Sequence, residues 1–309
     1  MPYILAVGYA ILNFITPWEK VQIEKFTDLN IYIAGFESGS YDYLNFLDGM
    51  QFWFSEPLWR IIVNYLNLHI LNVSYVFKII TFFCAIIYSF YIFKTNKYTY
   101  FFLISPLVID LLNSQVRSAL MGSIFLLALL VKSNKVRRLL FAPAFLIHGG
   151  AILIFGFYGL SKILFNMIKK NKRYIIPLIF ILSILIPLVF IKIYSDLLLV
   201  LNDRRFDYEK SYPGGIFQLC IGITFVISLL NLRSVTNCEL GIFSFIITGF
   251  FLILSFYEFN ALRLISITLP VIAKSSLLLP RRSQTLALSS LYFMTFYHSL
   301  FWFQIIRIQ

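Results

Sequence analysis

Long apolar runs, broken at short intervals by small clusters of charge, occupy the chain from end to end. They are continuous rather than alternating at period two, which excludes the strands of a transmembrane barrel and leaves helices to satisfy backbone groups in lipid. The runs place helices near 2–16, 74–93, 98–112, 115–131, 174–192, 214–231, 239–257, 263–279 and 285–306. A hydrocarbon core about 30 Å thick takes about 20 residues per helical crossing, so 309 residues supply roughly nine or ten crossings and little else. The expected fold class is an all-α polytopic membrane protein, with 1–309 as a single membrane-embedded domain. Met1 to Trp18 lacks a basic leader and a small-residue cleavage site, so the first run is expected to remain as a helix.

Three stretches fall outside this pattern. Residues 17–73 are mixed in polarity and carry Glu19, Glu24, Asp28, Glu37, Asp42, Asp48 and Glu56 ahead of an amphipathic run over 57–71, which predicts a long outer-face loop with an interfacial helix. Residues 193–213 read as a second outer-face loop. Residues 139–161 are apolar but interrupted by Ala142-Pro143 and by His148-Gly149-Gly150, which divides them into two pieces each too short to cross. If this segment returns to the side it left, inside loops hold fourteen basic residues and outside loops eight, whereas a full crossing makes the split ten and twelve. The positive-inside bias favours the return, so 139–161 is expected to be re-entrant.

Composition agrees with lipid as the solvent: 60% of residues are hydrophobic, 18% aromatic and 13% charged, with a mean hydropathy of +0.83. A formal net charge of +12 is explained by cytoplasmic flanks and does not call for nucleic acid. Cys84, Cys220 and Cys238 stand singly in or beside apolar segments and read as packing residues. No clustered Asp-x-Asp motif is present, and neither a metal nor another cofactor is expected.

Under this topology the outward basic residues stand at helix ends beside polar neighbours. Arg117 follows Asn113-Ser114-Gln115, Arg204 and Arg205 lie within Asn202 to Glu209, and Arg263 follows Glu258-Phe259-Asn260. Guanidinium against the trans side opposes the positive-inside bias, and a polyanionic lipid headgroup would offset that cost, because the planar fork binds phosphate oxygens bidentately. The alternative for each arginine is an interface anchor, or a pair with Asp207 or Glu258. Asp110, seven residues before Arg117, is expected to orient it. His69 and His298 read as interfacial.

Several segments, in order, also carry a resemblance. They are Tyr41-Asp42-Tyr43, then Ser55-Glu56-Pro57-Leu58-Trp59, then Asn113-Ser114-Gln115-Val116-Arg117-Ser118-Ala119-Leu120, then Leu146-Ile147-His148-Gly149-Gly150-Ala151, and finally Asn260-Ala261-Leu262-Arg263. In these the sequence resembles the EpsG/Wzy family of O-antigen and exopolysaccharide polymerases. It departs from the family at Gly149-Gly150, where a polar and a small residue usually follow the histidine, and at Ser118.

The resemblance implies a membrane glycosyltransferase of the bacterial inner membrane that uses undecaprenyl-pyrophosphate-linked oligosaccharide as donor and acceptor at the outer face. It also implies a separate chain-length regulator as partner. Such chemistry needs a cation at the pyrophosphate and a base for the acceptor hydroxyl. Arg117, Arg263 and one of Arg204 or Arg205 are the candidates for the first role. Glu56 and His148 compete for the second, the alternatives being a carboxylate favoured by a helix N-terminus and a neutral histidine bonded across helices. Asp42, Tyr43, Gln115 and Asn260 are candidates for binding sugar.

A lipid-linked oligosaccharide flippase is the rival class, although no internal repeat supports it. A secondary transporter should carry ionisable residues in mid-helix. A membrane acyltransferase is disfavoured because His148 has no acidic neighbour in sequence. From this reading, Arg117→Lys and Arg263→Ala should abolish most activity at unchanged protein level, and Lys170→Ala in a basic flank should be nearly silent. Equal tolerance of all three in a complementation assay would exclude an arginine clamp.

Overall fold

A computed structural model describes residues 1–18, 27–37, 56–69, 73–200, 215–257 and 262–303. Among these every regular element is a helix. In chain order they are α1 (Pro2–Ile15), α2 (Thr27–Glu37), α3 (Pro57–His69), α4 (Val73–Thr95), a 3₁₀ helix (Lys97–Ile104), α5 (Pro106–Asn113), α6 (Val116–Leu130), α7 (Asn134–Ile147) and α8 (Ala151–Ile168), followed by α9 (Lys172–Val200), α10 (Gly215–Leu230), α11 (Leu232–Val235), α12 (Glu239–Phe256), α13 (Leu262–Ser276) and α14 (Arg281–Trp302). The chain forms two compact units, one from residues 1–155 and 298–309 and one from 156–297.

Among the described residues four helices are long and apolar enough to cross a membrane: α4, α8, the Lys172–Ile193 stretch of α9, and α12. The pair α5 and α6 makes a fifth if counted as one span bent by 108°. The helices α1 and α10 are apolar but only 14 and 16 residues long, short for a straight crossing. On length and apolarity alone, the described helices thus supply four or five crossings where the sequence suggests nine or ten.

Two differences from the sequence reading have local causes. The run 98–112 is not one helix, because Pro106 has no N–H to donate and holds Ser105 extended (φ −62°, ψ 129°), so a 3₁₀ helix ends there and α5 begins. The run 139–161 is indeed broken at His148-Gly149-Gly150, but its second half is not too short to cross. It continues as the 18-residue α8 to Ile168, with Lys162 as its one charge.

In the first unit α4 is the central helix, packed by α1, α2, α3, α5 and α6. Small residues let α1 lie close: Ala6 and Ala10 are fully covered, and Ser89 of α4 donates to the Ala6 carbonyl at 3.3 Å. Against the far end of α6, Arg137 donates to the carbonyls of Ala128 (3.0 Å) and Val131 (2.8 Å), so this member of a basic flank closes the α6 C-terminus.

In the second unit α12 is central, packed by α9, α10, α11 and α13. Pro187 in α9 leaves the Ser183 carbonyl without its helical donor, and that carbonyl faces Gly249 of α12, where a Cβ would lie 3.1 Å from it. Cys238 does more than pack: its Sγ accepts the Gly241 N–H at 3.2 Å and caps α12, and burial pushes its thiol pKa up.

A Cβ added at Gly241 would stand 2.1 Å from the Val235 carbonyl oxygen, whereas one at Gly8 on α1 meets nothing within 4 Å. Gly241→Ala should therefore lower stability by about 1–3 kcal/mol, and Gly8→Ala should raise it by about 0.5–1 kcal/mol by removing helical glycine. Thermal unfolding of the detergent-solubilised protein compares the two directly.

Candidate functional site

Three segments distant in sequence meet at one carboxylate in the first unit. Glu56 precedes Pro57, which takes the first position of α3, where a missing N–H is harmless and φ is already helical. Glu56 itself adopts φ +59°, a left-handed conformation rare for a residue with a side chain and costing roughly 1–3 kcal/mol. This conformation accompanies a carboxylate that is turned inward: the Glu56 side chain is 12% exposed.

Arg117 is the second residue of α6, just past the 108° bend that ends α5 at Asn113. Its Nη1 donates to Glu56 Oε2, and its Nη2 donates to the Tyr32 hydroxyl at 2.9 Å. The guanidinium also lies over the Tyr32 ring, 4.6 Å from the centroid. Its Nε is buried and has no acceptor among the described residues.

His148 ends α7 in an extended conformation (φ −154°, ψ 125°), and its carbonyl accepts from Ala151 N at the start of α8 (2.9 Å). Its Nδ1 lies 2.6 Å from Glu56 Oε1, which the Gly149 N–H also approaches at 3.4 Å. An ionised carboxylate only accepts, so Nδ1 carries the hydrogen, and in the neutral tautomer that leaves the lone pair on Nε2. That atom stands over Gly150, where a Cβ would lie 3.5 Å away, and beyond Gly149 a Cβ would meet nothing within 4 Å.

An aromatic wall backs the cluster. Trp59 of α3 stacks on Phe77 of α4 (centroids 5.7 Å, planes 7° apart), and Tyr32 meets both at 6.3 Å. Trp59 is 1% exposed and Tyr32 5%. The Arg117 side chain, at 23%, and that of His148, at 21%, keep partial access.

The arrangement therefore joins Glu56, Arg117 and His148, which the sequence reading singles out for one reaction. It changes their relation: Glu56 and His148 are not rivals at separate places but bonded partners. His148 has no acidic neighbour in sequence, and its acidic partner, Glu56, arrives from 92 positions earlier.

Asp110 accepts from Gln115 Nε2 at 2.6 Å, and it is Glu56 that pairs with Arg117. Gln115 is thus tied to Asp110 by its amide, with a buried Oε1 that has no partner among the described residues. His69 is exposed, and its Nδ1 lies 2.8 Å from the Tyr65 carbonyl. Arg263 sits in the first turn of α13, in the second unit. Asp42, Tyr43, Arg204, Arg205 and Asn260 lie outside the described residues.

Tyr32 was not foreseen. It falls in α2, inside a stretch read as loop, and only its place on a short apolar repeat with Leu29 and Ile33 hints at a helix.

The described helices define a multi-pass α-helical membrane protein with a partly buried carboxylate–guanidinium–imidazole cluster. Comparisons of the chain with protein-family models, with curated proteins and with solved structures find no match.

If Glu56 holds the cluster, Glu56→Gln should destabilise the protein by roughly 1–3 kcal/mol, because it leaves Arg117 without its counter-charge. Adding Arg117→Met should recover part of that loss. A double-mutant cycle on thermal unfolding in detergent measures the coupling, and strictly additive effects would show that the pair does not interact.

Proposed function

We propose that this chain is a polysaccharide polymerase of the bacterial inner membrane, joining undecaprenyl-pyrophosphate-linked repeat units at the outer face. One observation carries the reading: of the five segments that resemble the EpsG/Wzy family, three supply one residue each, Glu56, Arg117 and His148, to a single hydrogen-bonded cluster. Nothing in the separation of these residues along the chain requires them to meet.

The chemistry follows from the bonds each residue already makes. His148 Nε2 is the base that takes the proton of the acceptor hydroxyl. Glu56 is the positioning residue that fixes the imidazole by accepting at Nδ1. The freed oxygen attacks the anomeric carbon of the donor sugar as the bond from that carbon to the pyrophosphate oxygen breaks, and its electron pair leaves with the lipid pyrophosphate. Arg117 supports the departing charge. Its Nε–H, which has no acceptor among the described residues, is the donor left for a phosphate oxygen.

Arg263, Arg204 and Arg205 are proposed as further pyrophosphate ligands, and Asp42, Tyr43 and Asn260 as sugar ligands. The 139–161 segment is proposed to return to the cytoplasmic face, so that its Gly-Gly tip presents His148 to the outer side. A chain-length regulator is the proposed protein partner.

Loss of the gene should remove the long-chain ladder of surface polysaccharide and leave single-repeat glycans. Wild type should restore the ladder, and His148→Ala or Arg117→Ala, at equal protein level, should not. General-base catalysis contributes about 10²–10⁴-fold, so the His148 variant should fall by at least that lower figure in a lipid-linked substrate assay. Complete absence of surface glycan in the deletion strain would point to a flippase or an earlier transferase, and an unchanged ladder would remove the pathway altogether.

A further inference from the structure

Arg117 does not pair with Glu56 in the way a guanidinium and a carboxylate pair when nothing else competes. The planar fork favours two parallel N–H bonds, one to each carboxylate oxygen. Here Arg117 gives Glu56 a single bond, from Nη1 to Oε2, and Nη2 turns instead to the Tyr32 hydroxyl at 2.9 Å. Glu56 Oε1 is thereby left to His148 Nδ1 at 2.6 Å and to the Gly149 N–H at 3.4 Å.

Tyr32 is placed to enforce this division. It stands on α2, 5% exposed, with its ring 6.3 Å from both Trp59 and Phe77, so its hydroxyl has little freedom to follow the arginine. The ring also covers one face of the guanidinium, whose Cζ lies 4.6 Å from the centroid. Arg117 is therefore held at Nη1, at Nη2 and across one face, by groups from two separate segments.

Removing the hydroxyl alone leaves the Nη2 N–H without its acceptor beside a carboxylate. A donor deprived of its partner is costly, and a charged donor outcompetes a neutral one for the same oxygen. The guanidinium then closes onto both oxygens of Glu56, and squaring the carboxylate to it carries Oε1 out of line with His148 Nδ1.

We infer that Tyr32 is a positioning residue: by holding Nη2 of Arg117 it keeps the arginine to one oxygen of Glu56 and reserves the other for His148. Its effect on the imidazole passes through Arg117 and Glu56. The inference rests on the polymerase reading only for the reaction it serves, since the position of the hydrogen on His148 is measurable without any substrate.

The test is ¹⁵N NMR of the full chain in nanodiscs, labelled at histidine, in which the two ring nitrogens of a neutral imidazole report which one carries the hydrogen. The chain has three histidines, and the spectrum of His148→Gln assigns the signal of interest. At about pH 9, above the ordinary imidazole range, the wild type should hold the His148 hydrogen on Nδ1 in at least about tenfold excess, as a hydrogen bond to a charged acceptor supplies. Tyr32→Phe, which keeps the ring and removes the hydroxyl, should bring the two positions to parity or reverse them, with the His69 and His298 signals unmoved. Adding Arg117→Lys should restore the excess, because an ammonium keeps the counter-charge and has no fork to close on both oxygens.

An excess on Nδ1 that survives Tyr32→Phe would overturn the inference. So would an excess lost in Tyr32→Phe and not regained with Arg117→Lys, or disturbance of all three histidine signals in both variants, which are the marks of packing damage alone. The expected responses together with an unchanged polysaccharide ladder in the deletion strain would keep the role of Tyr32 and reject the polymerase. A ladder that depends on His148 with no response to Tyr32→Phe would do the reverse.

Discussion

A guanidinium partly withdrawn from water among packed helices carries a desolvation cost that a counter-charge and hydrogen bonds must offset, and in the first unit that counter-charge is Glu56. The same carboxylate bonds His148 at Nδ1, so two demands converge on one side chain: neutralise Arg117, and hold the imidazole in place. The left-handed backbone at Glu56 is the local expense of aiming it. The bend between α5 and α6, the break between α7 and α8, and the start of α3 at Pro57 each deliver one member of the cluster.

The scaffold beneath it explains why these ends stay in place. In the first unit α4 is wrapped by helices that approach closely through Ala6, Ala10 and Ser89, and it carries Phe77, which meets Trp59 and Tyr32 in the aromatic wall. The second unit is organised in the same manner around α12, with Gly241 and Gly249 at its closest approaches. Little of the Lys172–Ile193 stretch of α9 is covered by protein, which fits an apolar helix facing lipid.

Much of this was legible in the sequence, for physical reasons that differ by element. Continuous apolar runs specify helices because lipid leaves the backbone no other partner, and α4, α9 and α12 lie where such runs fall. Runs interrupted by Ser105-Pro106 or extended past Lys162 were misjudged, since one proline outweighs local hydropathy and one lysine does not end a helix. Glu56, Arg117 and His148 could be singled out as ionisable groups at the ends of apolar segments. Their mutual bonding could not, because a contact across 92 positions leaves no trace in local periodicity. Tyr32 and the hydrogen-bonded Asn13–Asn113 pair stayed hidden for the same reason: their partners lie 85 and 100 positions away along the chain.

The claim on which everything else stands is that Glu56 holds Arg117 and His148 at one point. Its most direct measurement is cross-linking in native membranes by a short bis-methanethiosulfonate, in a background with Cys84, Cys220 and Cys238 replaced by serine. Efficient linkage of Glu56→Cys with His148→Cys, and of Glu56→Cys with Arg117→Cys, is predicted, with none for His148→Cys paired with Lys94→Cys at the other end of α4. Linkage of the first two pairs no greater than that of the third would contradict the account.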